Sequence, residues 1–211
     1  MKYRVTLTFA LILLITFVLT ACSDSDGMLS GTAEIQVRVT DAPSDYIASA
    51  DVTFSRVYLK AEDDDTDMEN GDGSSDVDLL PEGADPVTYD LMLLRDGIDA
   101  LLAEAVVPVG TYHQLRMVVQ SATVTLAEGV TFEDGSNMAT LFTPSGMQSG
   151  IKVQLAEPIM AEDGSLTIVV VDFDVDDNFV IHGDPTVPNG VRDILFTPSL
   201  HEKSRTEMPA S

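Results

Sequence analysis

The sequence predicts an all-β domain: an antiparallel β-sandwich of immunoglobulin-like build with one short helix. Three observations point there. Short segments that alternate apolar and polar residues recur along the chain, which is the period-two pattern of half-buried strands. Clusters of Gly, Pro and Asp separate them at short, regular intervals, as turns do in sandwiches. Apolar residues at helical spacing occur in a single stretch, Leu91 to Ala103. Strands in series with almost no helices stack into two packed sheets.

The chain begins with a different kind of segment. Lys2 and Arg4 form a positive start, and Val5 to Leu19 is apolar apart from Thr6, Thr8 and Thr16. That run suits the core of a signal peptide and falls short of the roughly 20 residues a membrane span needs. It ends in Leu19-Thr20-Ala21-Cys22, which resembles the bacterial lipobox: an aliphatic residue, two small ones and a cysteine. The resemblance implies cleavage before Cys22, a diacylglycerol on its thiol and an acyl group on the new amino terminus. An ordinary secretory signal with a chance cysteine, or an uncleaved anchor, are the competing accounts. Lipidation also explains why an exported chain carries one cysteine, since a lone thiol in an oxidising compartment is otherwise out of place. One acyl chain holds weakly, whereas two or three hold stably. Ser23 follows the cysteine where an Asp would signal retention, so by resemblance to Gram-negative sorting the expected location is the cell envelope, on the outer membrane.

Residues 1–21 therefore read as a lipoprotein signal peptide, 22–31 as a lipid-anchored tether, 32–200 as the β-sandwich and 201–211 as a flexible tail. The tether's reach is about 5–6 Å times the square root of its length. The whole chain of 211 residues has 11 basic and 35 acidic side chains and a net charge of −24. The signal peptide takes two bases and no acid with it, so the mature chain stands at −26. Such a surface cannot neutralise phosphates, which excludes nucleic acid as a partner. It also argues against binding anionic lipid through the protein itself. It suits divalent cations, cationic partners or plain solubility in salt.

Taken in order, Ala33 to Thr40 alternates, with Ile35, Val37 and Val39 on one face, and Asp41-Ala42-Pro43 ends it because proline cannot donate to a ladder. A second strand spans about Asp51 to Lys60, placing Val52, Phe54, Arg56 and Tyr58 on one side and Thr53, Ser55, Val57 and Leu59 on the other. Residues 61–78 form an acidic loop that cannot contribute to a core. A short strand lies near Val87 to Leu91. Leu91, Leu94, Ile98, Leu101 and Leu102 then line one face of a helix weakened at Gly97. Thr111 to Gln120 alternates with His113, Leu115, Met117 and Val119 together. Ala122 to Ala127 pairs with Ala139 to Phe142 around a turn at Glu133 to Ser136. Strands follow at Ile151 to Leu155, Ser165 to Val175, Phe179 to His182 and Val191 to Phe196.

Chemistry-bearing residues are sparse. Asp65, Asp67, Glu69 and Asp76 occupy offsets 1, 3, 5 and 12 of a calcium loop, where converging carboxylates would hold the ion. Asn70 replaces the turn glycine, the last ligand is Asp rather than Glu, and no helices flank the loop, so a solvated charge run is the simpler account. Asp172, Asp174 and Asp176 share one face if the strand continues through them. A solvent face, pairing with Arg116 or Lys152 on neighbouring strands, and a metal site are the three readings. Arg116, Lys152 and Asp174 are the candidate polar cluster. His113, His182 and His201 lack metal spacing, and Ser145 lacks a nucleophile's strand-turn-helix context. No catalytic residues are assigned, no cofactor is expected beyond weak calcium, and the chain reads as a non-enzyme.

Several pieces also stand in a recognisable order: Val39-Thr40-Asp41-Ala42-Pro43, Leu91 to Leu102, Gly110 to Arg116, Pro144-Ser145-Gly146, Ser149-Gly150-Ile151-Lys152 and Val171-Asp172-Phe173-Asp174. Together they resemble a bacterial lipoprotein family catalogued as domain of unknown function 4382, over roughly Gly31 to Leu200. The resemblance implies lipid-anchored, secreted proteins with a transthyretin-like or carboxypeptidase-regulatory-like sandwich and no established enzyme activity. Its recurring positions fall here on Asp41, Pro43, Tyr112, Arg116, Lys152 and Asp174. The expected function is a binding or adhesion module displayed on the membrane through Cys22, its partner an envelope protein or a glycan. With no Trp and few aromatic residues, a protein partner is favoured. The alternative is a structural envelope lipoprotein whose acidic loops bind calcium loosely.

Overall fold

The computed structural model describes residues 31–41, 44–61, 76–142 and 149–210. Among them the strands are β1 (Thr32–Thr40), β2 (Ile47–Lys60), β3 (Asp76–Leu80), β4 (Val87–Asp90), β5 (Ala100–Pro108), β6 (Gly110–Tyr112), β7 (Gln114–Leu126), β8 (Met138–Leu141), β9 (Ile151–Gln154), β10 (Ile159–Ala161), β11 (Leu166–Asp172), β12 (Phe179–Gly183), β13 (Val191–Phe196) and β14 (Leu200–Met208). A 3-10 turn covers Leu91–Leu93, and a one-turn helix, α1, covers Val175–Asn178. Ten strands form one sheet in the order β3-β2-β7-β9-β14-β11-β1-β5, with β4 added to β2 and β8 to β7. The outer strands β3 and β5 come together, so the sheet nearly closes on itself.

The fold is thus nearly all β, as expected, but a mixed, almost closed barrel replaces the antiparallel sandwich. β1 runs parallel to β11 and β9 parallel to β14. Alternation could not separate the two architectures, because both bury one face of every strand. Strand direction and closure depend on partners far away in sequence.

The core follows the alternation where the register is regular. Ile35, Val37 and Val39 are fully buried, as are Leu115, Met117 and Val119. β2 departs from it. Its pairing with β7 shifts between Thr53 and Phe54 and again between Phe54 and Arg56. An irregularity of this kind exchanges inward and outward residues. Val52 and Phe54 point into the core, but beyond the shift it is Val57 and Leu59 that do so, and the expected face of Val52, Phe54, Arg56 and Tyr58 is split.

Three further expectations are corrected. The helix over Leu91 to Ala103 is a 3-10 turn followed by the start of β5; Asp96 and Gly97 adopt positive φ of 61° and 82°, which interrupts a helix, and β5 is held by pairing with β1. The strand through Asp172 to Asp176 stops at Asp172, and α1 follows. The tail at 201–211 is largely β14, paired with β11 along its length and with β9 at Leu200 and His201. Only Leu200 of β14 is buried, so its sequence carries almost no apolar signal and backbone pairing alone identifies it.

The barrel has two distinct ends, about 30 Å apart by the length of β1. Thr32, Pro108, Leu166 and Met208 lie at one, the entry end, where the chain arrives from its N-terminus. Thr40, Ile47, Leu126, α1 and the β12–β13 hairpin lie at the other. The hairpin is tied to the core by aromatic rings. Phe173 packs edge-on against Phe54 and stacks on Phe196, each at 6.1 Å, and Phe196 meets Phe179 at 4.8 Å.

Candidate functional site

The candidate cluster is brought together in part. Arg116 and Lys152 stand directly opposite each other on β7 and β9, and Tyr58 is opposite Arg116 on β2. Arg116 is 8% exposed although it lies on the outer side of the barrel. Its Nε donates to Gln114 Oε1 at 2.9 Å and its Nη1 to the Ser149 carbonyl at 3.0 Å. The Tyr58 hydroxyl donates to that same carbonyl at 2.7 Å. Two side chains thus grip the backbone where the chain returns into β9. Arg56 sits 4.0 Å over the Tyr58 ring while its Nε donates to Asp78 at 2.6 Å. These contacts organise strands. Asp174 is elsewhere: its carboxylate caps α1, accepting from the backbone N–H of Asp176 and Asp177 at 3.0 and 3.3 Å.

The far end holds a second polar group, of which the sequence flagged Asp41 and Asp174 but not Asn178. Asp41 is 2% exposed, and its Oδ1 accepts from the Val175 N–H at 2.9 Å. The Thr40 hydroxyl lies 2.9 and 2.7 Å from the carbonyls of Leu94 and Ile98. Asn178 is fully buried; its Nδ2 donates to the Asp174 carbonyl at 2.7 Å and the Ser199 carbonyl at 3.3 Å, and its Oδ1 accepts from the Ser199 N–H. A lone Asn in an acidic run has no pattern that would reveal this role. Tyr112, another recurring position, donates to the Pro108 carbonyl at 2.8 Å. Burial raises its phenol above the ordinary tyrosine range.

Of the calcium set, Asp65, Asp67 and Glu69 lie outside the described residues, as do Cys22 and Pro43. Asp76 begins β3, and its Oδ2 lies 3.4 Å from Arg56 Nη2. Among the described residues no three His, Cys, Asp or Glu side chains are grouped to hold a metal ion.

Three concavities are defined by described residues. Two, of about 400 and 240 Å³, lie beside β14, the first along Glu202, Arg205 and Glu207 and the second at the entry end around Glu207 and Met208. In the first, Arg205 is occupied by Glu202 at 2.8 Å and by the carbonyls of Glu157 and Pro158. The third, about 470 Å³, lies toward the far end between β8 and β13. One wall is the unbroken run Met138 to Phe142 and the other is Arg192 to Ile194, with Phe132 to Asp134 closing one end. A strand's face would supply every second residue; consecutive residues mean that the groove exposes strand edges. Among the described residues β8 pairs with β7 alone, and β13 pairs with β12 and meets the 131–133 segment only at Val191, through a parallel bridge to Phe132. Met138 and Phe142 are 60% and 76% exposed, so an apolar floor is open to solvent.

The rim is acidic. Glu133, Asp134 and Asp193 face one arginine, Arg192, whose Nε is 3.4 Å from Asp193. Hydrogen bonds from the Ser136 side chain and from the Ser136 N–H, the latter at 2.8 Å, hold the Asp134 carboxyl below the ordinary Asp range, so it stays ionised. His182 Nδ1 lies 2.6 Å from Asp193 on the hairpin behind. An apolar trough with negative edges and open backbone suits recognition of another chain.

A family model described as domain of unknown function, DUF4382, matches residues 32–191. No curated protein and no solved structure matches the chain.

Proposed function

From the premise that the chain belongs to the DUF4382 family, we propose that it is a lipid-anchored protein of the bacterial cell envelope, held by Cys22 and presenting a non-enzymatic binding module whose recognition surface is the β8–β13 groove. The observation that carries this reading is the groove's position. It lies toward the end of the barrel opposite Thr32, where the chain arrives from its N-terminal segment. A chain tethered through Cys22 would hold that end away from the lipid. The groove's composition supports a protein partner over a glycan, because Phe142 is its single exposed ring. Sugar platforms rely on several. Arg116, Asp41 and Asn178 each hold a backbone group in place, and holding the fold in this way fits binding better than catalysis.

The test places a photo-crosslinking amino acid at Phe142 of the full chain in native membranes, identifies the captured protein, and measures binding of the purified partner. Met138→Glu should abolish binding, and Cys22→Ser should release the chain from membranes with its groove affinity unchanged. Unaltered binding by Met138→Glu would refute the groove assignment; retention of Cys22→Ser in the membrane fraction would refute the anchor.

A further inference from the structure

The outer edge of β8 has no strand partner among the described residues. In the β7–β8 ladder Leu126 falls opposite Asn137 by extension of the register Ala122↔Leu141 to Thr125↔Met138. The Leu126 N–H donates to the Asn137 carbonyl at 2.8 Å, which marks that position as a hydrogen-bonded pair. Such pairs alternate along antiparallel strands. Ala139 and Leu141 therefore turn their N–H and C=O toward β7, and Met138 and Thr140 turn theirs away from it, into the groove. Donors and acceptors spaced two residues apart along an open edge are the template that an added strand uses.

We propose that this edge accepts an extended, basic and apolar segment of a partner protein as an additional β-strand; this rests on the groove being the recognition surface. The backbone of Met138 and Thr140 pairs with the segment. Its apolar side chains pack on Met138, Phe142 and Ile194, and its Lys or Arg side chains meet Glu133 and the Asp134 carboxylate. The charge argument is specific to this place. Glu133 has no ion pair among the described residues, and the rim's three acids against one arginine repel an acidic strand, including a second copy of this chain. The four residues of β8 offer an edge of about 13 Å.

The experiment selects phage-displayed decapeptides on the full chain in detergent and measures the affinity of the best synthetic peptide. Selected peptides are expected to alternate Lys or Arg with Val, Ile or Phe. Thr140→Pro removes one outward N–H while leaving the ladder to β7 intact, since an edge strand tolerates proline on its open side. It should weaken binding about tenfold, the scale of losing one or two backbone hydrogen bonds, whereas Thr140→Val should stay within about twofold. Glu133→Gln should weaken binding and flatten its salt dependence. N-methylation of the peptide should abolish binding at alternate positions only, which keeps the test decisive even if Thr140→Pro unfolds. Peptides that Met138→Glu disrupts but that ignore Thr140→Pro and tolerate N-methylation everywhere would overturn strand addition and leave the groove reading standing. Peptides indifferent to Met138→Glu as well would overturn both, and failure to select any basic, alternating peptide would overturn the strand proposal.

Discussion

Asn178 offers the sharpest test of how the far end is held. Its side chain makes three hydrogen bonds: Nδ2 to the carbonyls of Asp174 and Ser199 at 2.7 and 3.3 Å, and Oδ1 from the Ser199 N–H. The residue is fully buried, while Ser199 is exposed. In Asn178→Ala, water can reach the Ser199 groups, and the Asp174 carbonyl keeps its bond from the Asn178 backbone N–H at 3.0 Å. The loss is then close to the net value of each bond, about 0.5–1.5 kcal/mol, rather than the larger penalty of a buried orphan. Two good bonds and one long one come to about 2–3 kcal/mol. For a domain of this size that lowers Tm by about 4–12 °C. Asn178→Asp is nearly isosteric but replaces the donor with an oxygen facing two carbonyls, so it should cost more than alanine at neutral pH and recover as the carboxyl is protonated. Urea denaturation of the three proteins with matched m-values would measure this. A cost below about 0.5 kcal/mol for Asn178→Ala, or an aspartate variant no worse than alanine, would refute the assignment of Asn178 as the pin between α1 and the segment after β13.

Phe196→Ala removes the ring shared by Phe173 and Phe179 and should cost about 3–5 kcal/mol, with hydrogen exchange accelerating first in β12 and β13; uniform acceleration across the barrel would contradict the hairpin's separate attachment. Asp51 is raised above the ordinary Asp range by burial and by the facing Asp90. Its ionised form is therefore disfavoured in the fold, so Asp51→Asn should stabilise at pH 7 by about 0.2–1 kcal/mol, with the gain vanishing below about pH 4 where the wild-type carboxyl is already protonated; an equal gain at pH 3 would count against it. Asp134 and Asp184 are held below the ordinary range by hydrogen bonds from Ser136 and Thr186. Their folded-state values lie under the unfolded ones, so their contribution is complete above about pH 4 and is lost as pH falls through the lowered values. The double variant Asp134→Asn, Asp184→Asn should flatten the acid limb of the stability curve, and an unchanged limb in acid titration would dismiss these two groups as its source.

The groove was only half legible in the sequence. Ala139 to Phe142 was readable as a strand paired with Ala122 to Ala127, because alternation and a Gly-containing turn are local. That its outer edge has no strand partner among the described residues was not readable, since it depends on β14 lying beside β9 and not beside β8. Arg116 and Lys152 could be placed on neighbouring strands, but Asp174 could not be separated from them: the same Asp-x-Asp-x-Asp run serves a solvent-facing strand or a capped helical turn, and the helix-capping geometry decides.

By itself the sequence determined the strand-rich character of the chain, the inward positions of β1 and the first half of β7, the strong acidity from which no nucleic-acid partner is expected, and the expectation of an anchor at Cys22. Each follows from composition or from neighbours within a few residues. Tertiary structure decided the rest: mixed strand directions, near closure of the barrel, the phase reversal in β2 that turns Arg56 and Tyr58 outward, a polar tail recruited as β14, and two strand edges meeting around a groove away from the entry end. The physical reason is that periodicity records which face of a strand is buried, whereas pairing, direction and closure are carried by backbone hydrogen bonds, which leave almost no mark on side-chain pattern.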